Sequence, residues 1–73
     1  ANARLSRVVL ADGGAADYRF EAGNFGYVVP LSGRVQVGDV IADRNDGILI
    51  NDVETVTVTA MGHTIALLIE MAE

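Results

Sequence analysis

Cysteine, lysine and tryptophan are absent from this chain of 73 residues, and histidine and proline occur once each. Without cysteine the chain can form no disulfide bond and offers no thiolate to a metal. A single histidine, His63, falls short of the three or four convergent ligands that a metal centre needs. Small domains usually add disulfides, a metal or a partner surface to a small core, so we expect a partner surface here.

Long apolar runs and basic residues are also scarce. No run approaches the ~20 residues of a membrane-spanning helix, and the N-terminus lacks the features of a signal peptide. We therefore expect a cytoplasmic protein that does not bind a membrane. Five arginines face ten acidic residues, for a net charge of −5. Repulsion from phosphate predicts no nucleic-acid partner, and the acidity favours solubility.

The length limits the chain to one domain, and an apolar fraction of 51% is inconsistent with disorder. The chain does not begin with methionine. We expect residues 1–73 to be a single β domain that is a fragment, or the C-terminal domain, of a longer protein.

Alternation of apolar and polar residues runs along most of the chain, as half-buried strands require. In 34–37, for example, Val35 and Val37 alternate with Arg34 and Gln36. Gly38-Asp39 is typical of a tight hairpin turn. Further clusters of turn-forming residues occur at 12–14, 22–24, 43–47, 51–52 and 61–63, and Ser32-Gly33 leads into the strand that contains Val35 and Val37.

These signals predict an all-β fold of about seven or eight short strands, arranged as a small antiparallel β-barrel or sandwich. Pro30 lacks an N–H, so it belongs at an edge, a bulge or a strand end. Residues 64–71 alternate and are interpreted as a strand, with a short helix as the alternative from propensity. The expected core residues are Val35, Val37, Ile41 and Ile48 or Ile50.

No motif for catalysis or metal binding is complete. Ser6 and Ser32 stand in no nucleophile motif. The segment 43–47 resembles a calcium loop only in part, because the ligand pattern is not met. Carboxylates in turns usually bond the backbone and face water. We predict no catalytic, cofactor-binding or metal-binding residue and no cofactor, and we assign this turn role to Asp39, Asp43, Asp46 and Asp52.

The four aromatic residues lie close together in the sequence, between 18 and 27. Core packing is the simpler interpretation for them, and an exposed turn is the simpler one for His63. The alternative is a small pocket that includes a histidine able to titrate near neutral pH. The candidate pocket residues are Tyr18, Phe20, Tyr27 and His63.

A series of motifs follows the same order as in a known family. It consists of Tyr27, Gly-Arg-Val-Gln-Val at 33–37, Asp-Gly at 46–47, Ile-Asn-Asp at 50–52, Val-Thr-Val-Thr-Ala at 56–60 and Leu-Leu-Ile at 67–69, preceded by two strands in 5–22. The series resembles the C-terminal cupin domain of pirin-like proteins, which are bicupins similar to quercetin dioxygenases. It covers nearly the whole chain.

The resemblance implies a cupin-like barrel of the jelly-roll type. In that family the N-terminal half usually carries a metal held by histidines and a glutamate, and some members are quercetin dioxygenases. The C-terminal half generally lacks the ligands. This chain has no His-x-His pair, so no catalytic residue is carried over to it.

We predict a metal-free, cupin-like structural or assembly domain of a pirin-like protein, which is not an enzyme by itself. The expected partner is a second copy of the chain, giving a homo-oligomer, or another domain of the parent chain. One alternative is a self-associating small β-barrel unrelated to cupins, suggested by the apolar second face of 64–71. Another is a small-ligand binder that uses Tyr18, Phe20 and Tyr27.

Overall fold

Two long antiparallel strands form the centre of the computed structural model, which describes residues 3–51 and 54–72. The six strands are β1 (Ala3–Leu10), β2 (Ala15–Arg19), β3 (Phe25–Val37), β4 (Val40–Asp43), β5 (Ile48–Ile50) and β6 (Thr55–Met71). β3 has 13 residues and β6 has 17. They pair from Phe25 opposite Met71 to Val37 opposite Val58.

Shorter strands flank this central pair. β1 pairs with the second half of β6 and β2 with the first half, both antiparallel, so β1 and β2 run in one direction along the same edge of β6. β4 and β5 line the free edge of β3 in the same way. The result is a sheet of four long strands, of which the two outer ones are interrupted by a turn.

The irregular positions of the four long strands lie side by side. Asp12, in the turn between β1 and β2, accepts the amide of Gly62 in β6 at 2.8 Å. Asn45, in the turn between β4 and β5, donates its amide to the carbonyl of Pro30 in β3 at 2.8 Å. The register of β3 against β6 shifts just after Pro30. The sheet bends along this line, here called the corner, which comprises residues 11–14, 30–34, 44–47 and 60–64.

Two glycines and a threonine make the bend in the central strands. Gly33 and Gly62 have φ angles of 75° and 84°, in the left-handed region that glycine adopts without strain. The Thr64 hydroxyl is fully buried between them. It donates to the carbonyl of Gly62 at 2.9 Å and accepts the amide of Arg34 at 3.3 Å. These bonds satisfy backbone groups that the bulges remove from the ladder.

Side chains from both sides of the corner pack into one core. Since they belong to opposite halves of a single sheet, the sheet folds onto itself and the halves face each other as a small sandwich. Phe20 crosses the open end, here called the mouth (residues 19–26, 51, 54 and 70), and packs on Gly26. The buried core residues are Phe20, Val28, Val35, Ala42, Ile48, Ile50, Val56, Val58, Ala66 and Leu68.

The all-β antiparallel architecture confirms the prediction from sequence, and so does the strand at 64–71. The number of strands differs: the described residues form six, whereas the sequence predicts seven or eight. The expected turn at 61–63 is a bend within β6, because the chain continues in the same ladder on both sides of it. Ser32 and Gly33 likewise lie within β3, so that 27–31 and 34–37 belong to one strand. Pro30 stands at a bulge, one of its three predicted places.

Three of the expected core positions are buried, namely Val35, Ile48 and Ile50, and Val37 packs against the core. The prediction that Ile41 belongs to the core was wrong, because this residue is 52% exposed. It lies opposite Gln36, on the outer face of the sheet, while the next residue, Ala42, faces inward. No helix in the described residues is long and apolar enough to cross a membrane.

A methyl group at Gly33 tests the corner. The new Cβ would overlap the backbone of His63 and the side chain of Thr64, in addition to the cost of a positive φ. We expect Gly33→Ala to lower the free energy of unfolding by about 2–4 kcal/mol in urea titrations.

Gly62→Ala is the matched control, because Gly62 has a similar φ and open space around the added Cβ. It should cost only about 1 kcal/mol. Equal losses for the two variants would contradict the proposed packing of the corner.

Candidate functional site

A buried carboxylate, Glu70, lies at the mouth. It occupies an inward-facing position of β6, after Ala66 and Leu68 in the same alternating series. Its side chain is 2% exposed. An acidic side chain is almost never fully buried unless it is paired or hydrogen-bonded. The contacts of Glu70 therefore define the candidate site.

Three donors from the opposite side of the mouth converge on Glu70. Its Oε1 accepts the hydroxyl of Tyr18 at 2.9 Å. Its Oε2 accepts the backbone amide of Glu21 at 2.9 Å and the side-chain amide of Asn24 at 2.7 Å. The guanidinium of Arg4 lies 3.8 Å from Oε1 of Glu70, measured from its Nη1. One carboxylate thus ties β1, β2 and the 20–24 turn to the end of β6. We call these five residues the Glu70 cluster.

Hydrogen bonds control the ionisation of this group. The amide of Glu21, followed by the side chain of Asn24, lowers the pKa of Glu70 below its ordinary value. Burial acts in the opposite direction but is outweighed, with Tyr18 and Arg4 adding further stabilisation of the anion. Burial, and then the bond to Glu70, raises the pKa of Tyr18. At neutral pH the pair is therefore an ionised carboxylate and a neutral phenol.

Tyr18 also connects the cluster to the core. Its ring meets that of Phe20 edge to face, with the centroids 5.2 Å apart. Phe20 is 3% exposed, and Tyr18 is partly buried against the core. Such a contact favours one ring orientation beyond the gain from burial. The aromatic pair fixes the hydroxyl of Tyr18 in the position from which it reaches Glu70.

An open groove of about 940 Å³ adjoins the cluster at the mouth. Phe20 and Phe25 contribute apolar lining, and charged residues form the rim. On that rim Arg19 pairs with Glu54 at 2.8 Å and Arg4 with Glu21 at 3.5 Å. Both pairs are solvent-exposed. The charges at the groove largely neutralise one another.

The structure brings together two of the four candidate pocket residues. Tyr18 and Phe20 are in contact, and Phe20 lines the groove. Tyr27 is 37% exposed and lies on the outer face of β3, opposite Ile69 and Leu49. His63 is exposed at the corner, whereas Phe20 is at the mouth. Tyr27 points outward because successive side chains of a strand point to opposite faces, and its two neighbours in β3 are buried.

Two of the four acidic residues of the predicted turns, Asp43 and Asp46, bond to nearby groups. Asp43 accepts Arg34 Nε at 2.6 Å, and Asp46 accepts the amide of Asp43 at 3.3 Å. Asp39 is in the hairpin turn, and Asp52 lies outside the described residues. Within 3–51 and 54–72, no group of three or more potential ligands is placed to hold a metal ion.

A metal does not fit the donor set at Glu70 either. Both carboxylate oxygens already accept bonds from N–H or O–H donors. A cation next to Arg4 would also meet its positive charge. The chain's single imidazole, on His63, is at the corner rather than the mouth.

Reasoning from the sequence missed Glu70, Asn24 and the amide of Glu21 as a unit. A signal was present, because Glu70 continues the face of Thr64, Ala66 and Leu68, and a charge on a core-facing register requires partners. The identity of the partners was not readable, since they lie 46–52 positions away in the chain.

The chain is similar in sequence to a known protein family and to a curated relative. The family described as "Quercetinase C-terminal cupin domain" matches residues 1–71. A Pseudomonas aeruginosa protein named "Putative quercetin 2,3-dioxygenase PA1210" is 38% identical over 72 residues, which are 99% of this chain and 31% of that protein. The chain therefore spans about a third of this curated relative.

A solved structure shows the same fold. YhhW from Escherichia coli superposes with a TM-score of 0.91 at 21% identity, over 96% of this chain and 30% of that one. At this level of identity the likeness concerns the fold alone.

Removal of the Glu70 carboxylate tests the cluster. Glu70→Ala leaves Tyr18, Asn24 and the amide of Glu21 without their acceptor, and we expect a loss of about 2–4 kcal/mol in the free energy of unfolding. A domain of this size has only about 4–11 kcal/mol in total. Urea denaturation measures the loss. Glu70→Gln is the milder variant should the alanine protein not fold.

Glu54→Ala is the matched control, since Glu54 also pairs with an arginine but is exposed. It should cost less than about 1 kcal/mol. A loss at Glu70 no larger than the loss at Glu54 would contradict the role of the cluster.

Titration tests the ionisation of the pair. The pKa of Glu70 is lower in the folded state, so its contribution is present above the unfolded value of about 4.3 and is lost as the pH falls through the folded pKa. The pKa of Tyr18 is raised, so its contribution is present below about 10 and is lost as the pH rises further. Unfolding free energies measured from pH 3 to 11 should fall at both ends.

Glu70→Gln should flatten the acid limb. An acid limb that is unchanged in Glu70→Gln would assign the pH dependence to other carboxyl groups.

Proposed function

This chain belongs to the quercetinase C-terminal cupin domain family, and from that premise we propose that it is a structural and assembly domain of a longer pirin-like protein. In this proposal it holds no metal and supplies no catalytic residue. The observation that carries it is the Glu70 cluster, in which the one buried carboxylate of the described core is engaged in tying β2 and the 20–24 turn to the end of β6.

The state of Glu70 supports a structural role. A general acid or base works best when its pKa is near the operating pH. The pKa of Glu70 is held below its ordinary value by donors within the domain. Its oxygens accept bonds from Tyr18, Glu21 and Asn24, and Glu70 does not line the groove. Glu70 is thus suited to bonding a loop and poorly suited to proton transfer.

The interior also supports the proposal. The largest fully buried side chains are aliphatic except for Thr64, whose hydroxyl bonds to the corner backbone. A single histidine without cysteine gives the chain too few imidazole and thiolate ligands for a catalytic metal site. The dioxygenase activity in the name of the Pseudomonas relative belongs to a protein about three times as long. We propose that such activity, in a parent of this chain, lies outside this domain.

Membership of the cupin family rules out the alternative hypothesis of a small barrel unrelated to cupins. The small-ligand alternative retains Phe20, which lines the groove, while Tyr27 and His63 lie elsewhere.

Metal analysis tests the proposal. We expect the purified domain, dialysed against Fe²⁺, Ni²⁺ or Zn²⁺, to retain less than about 0.1 metal ion per chain by mass spectrometry, because three convergent ligands are needed for tight binding. Stoichiometric metal together with quercetin-cleaving activity of the domain alone would overturn it.

His63→Ala is the control in the full-length protein. It should leave the metal content and the turnover of that protein unchanged. A loss of either one in His63→Ala would assign His63 to the site and contradict the proposal.

A further inference from the structure

The open groove at the mouth contains two ion pairs of different lengths. Arg19 Nη2 lies 2.8 Å from Glu54 Oε1, within the range of a strong charge-assisted hydrogen bond. Arg4 Nη2 lies 3.5 Å from Glu21 Oε1, and Arg4 Nη1 lies 3.8 Å from Glu70 Oε1. Both contacts of Arg4 are longer than such a bond. We call Arg4–Glu21 the loose pair and Arg19–Glu54 the tight pair.

The loose pair can open at little cost. The side chains of Arg4 and Glu21 are 58% and 72% exposed, and ion pairs in such positions contribute little to stability. Glu70 does not line the groove, and its carboxylate stays beside the guanidinium of Arg4 when Glu21 moves away. An opened loose pair offers a planar cation to a carboxylate and a carboxylate to an ammonium group.

Aromatic side chains adjoin the loose pair. Phe20 and Phe25 line the same groove as Arg4 and Glu21. Phe25 is only half-buried, so part of its surface remains to contact a ligand. The groove volume of about 940 Å³ lies within the range of small-molecule sites, about 300–1,000 Å³. Sites of this kind hold a mostly apolar ligand and orient it through a few polar groups.

The charges of the lining indicate the class of ligand. The charged residues described in the lining are two arginines and two glutamates, so they carry no net charge. An anion or a cation alone would leave one member of the opened loose pair without a charged partner. A zwitterion gives a new partner to each member, and two ion pairs then replace one long contact.

We propose that the groove binds a free amino acid with an aromatic side chain. Its carboxylate pairs with Arg4, its ammonium group pairs with Glu21, and its ring contacts Phe25. This inference goes beyond the proposed structural role and does not depend on it, because a domain can bind an amino acid whether or not it holds a metal.

Amide NMR spectra of the full-length protein that carries this domain, recorded during titration with L-phenylalanine, test the proposal. We expect saturable shifts at Ala22, Gly23 and Phe25 in the groove, and none at Asp46 and His63 at the corner. The Kd should be about 1 mM, as for a ligand of about twelve non-hydrogen atoms. Absence of saturable shifts in the groove at roughly twentyfold that concentration would overturn the proposal.

Analogues with one charge each test the zwitterion. 3-Phenylpropionate lacks the ammonium group and 2-phenylethylamine lacks the carboxylate, and both retain the ring. Each should bind about threefold or more weakly than L-phenylalanine, because it leaves Glu21 or Arg4 without a charged partner. L-Alanine lacks the ring and should bind more weakly still. Equal affinity of either one-charge analogue would contradict insertion into the loose pair.

Variants of the two ion pairs test which of them receives the ligand. Arg4→Gln and Glu21→Gln should each weaken the binding of L-phenylalanine about threefold to fivefold. Arg19→Gln and Glu54→Gln, in the tight pair, should leave it unchanged. Glu21→Gln keeps the backbone amide that bonds Glu70, so it remains informative if Arg4→Gln disturbs the fold. Equal effects in the two pairs, or unchanged binding in Glu21→Gln, would overturn the proposal.

Discussion

The bond network of Glu70 is the interaction on which the rest of this fold depends. A sheet that bends once at a corner brings two ends together, and something must hold those ends. Glu70 does so from the C-terminal end of β6, by accepting bonds from Tyr18, Glu21 and Asn24 on the other side of the mouth. The described residues contain no buried side-chain polar atom without a partner. Burial of the charge is tolerated because the carboxylate has donors on both oxygens.

The corner and the mouth have complementary chemistry. The corner relies on backbone freedom at Gly33 and Gly62 and on one hydroxyl, that of Thr64. The mouth relies on one carboxylate and an aromatic pair. Between them lies a small aliphatic core, which by itself gives a domain of this length only marginal stability. The polar side chains that are buried here are therefore used to define the shape of the domain.

The sequence was sufficient to predict the fold class, the family and most of the strands. Alternation at Val56, Val58 and Ala60 needed only the period of a strand, and Gly38-Asp39 needed only local turn geometry. Gly62 was wrongly interpreted as part of a turn, because a glycine with positive φ either reverses a strand or bends it. The choice depends on whether the flanking segments find the same partner, which is a long-range property.

The candidate site was less accessible to such reasoning. Closeness in sequence grouped Tyr27 with Tyr18 and Phe20. Tyr18 lies on β2 with Phe20 just after it, whereas Tyr27 lies on β3 and points away from the core. The assignment of Ile41 to the core was also wrong. The two-residue hairpin turn pairs Ile41 with Gln36, so Ala42 rather than Ile41 faces inward. The partners of Glu70 come from distant segments and required the folded chain.

The amide of Glu21 offers the most direct measurement of the central claim. It belongs to a turn rather than a strand, and its hydrogen bond goes to Glu70 Oε2. Hydrogen exchange followed by NMR at neutral pH should show this amide exchanging as slowly as the amides of β3 and β6, through global unfolding. Exchange of Glu21 at the rate of an exposed turn, while the strand amides remain protected, would contradict the account.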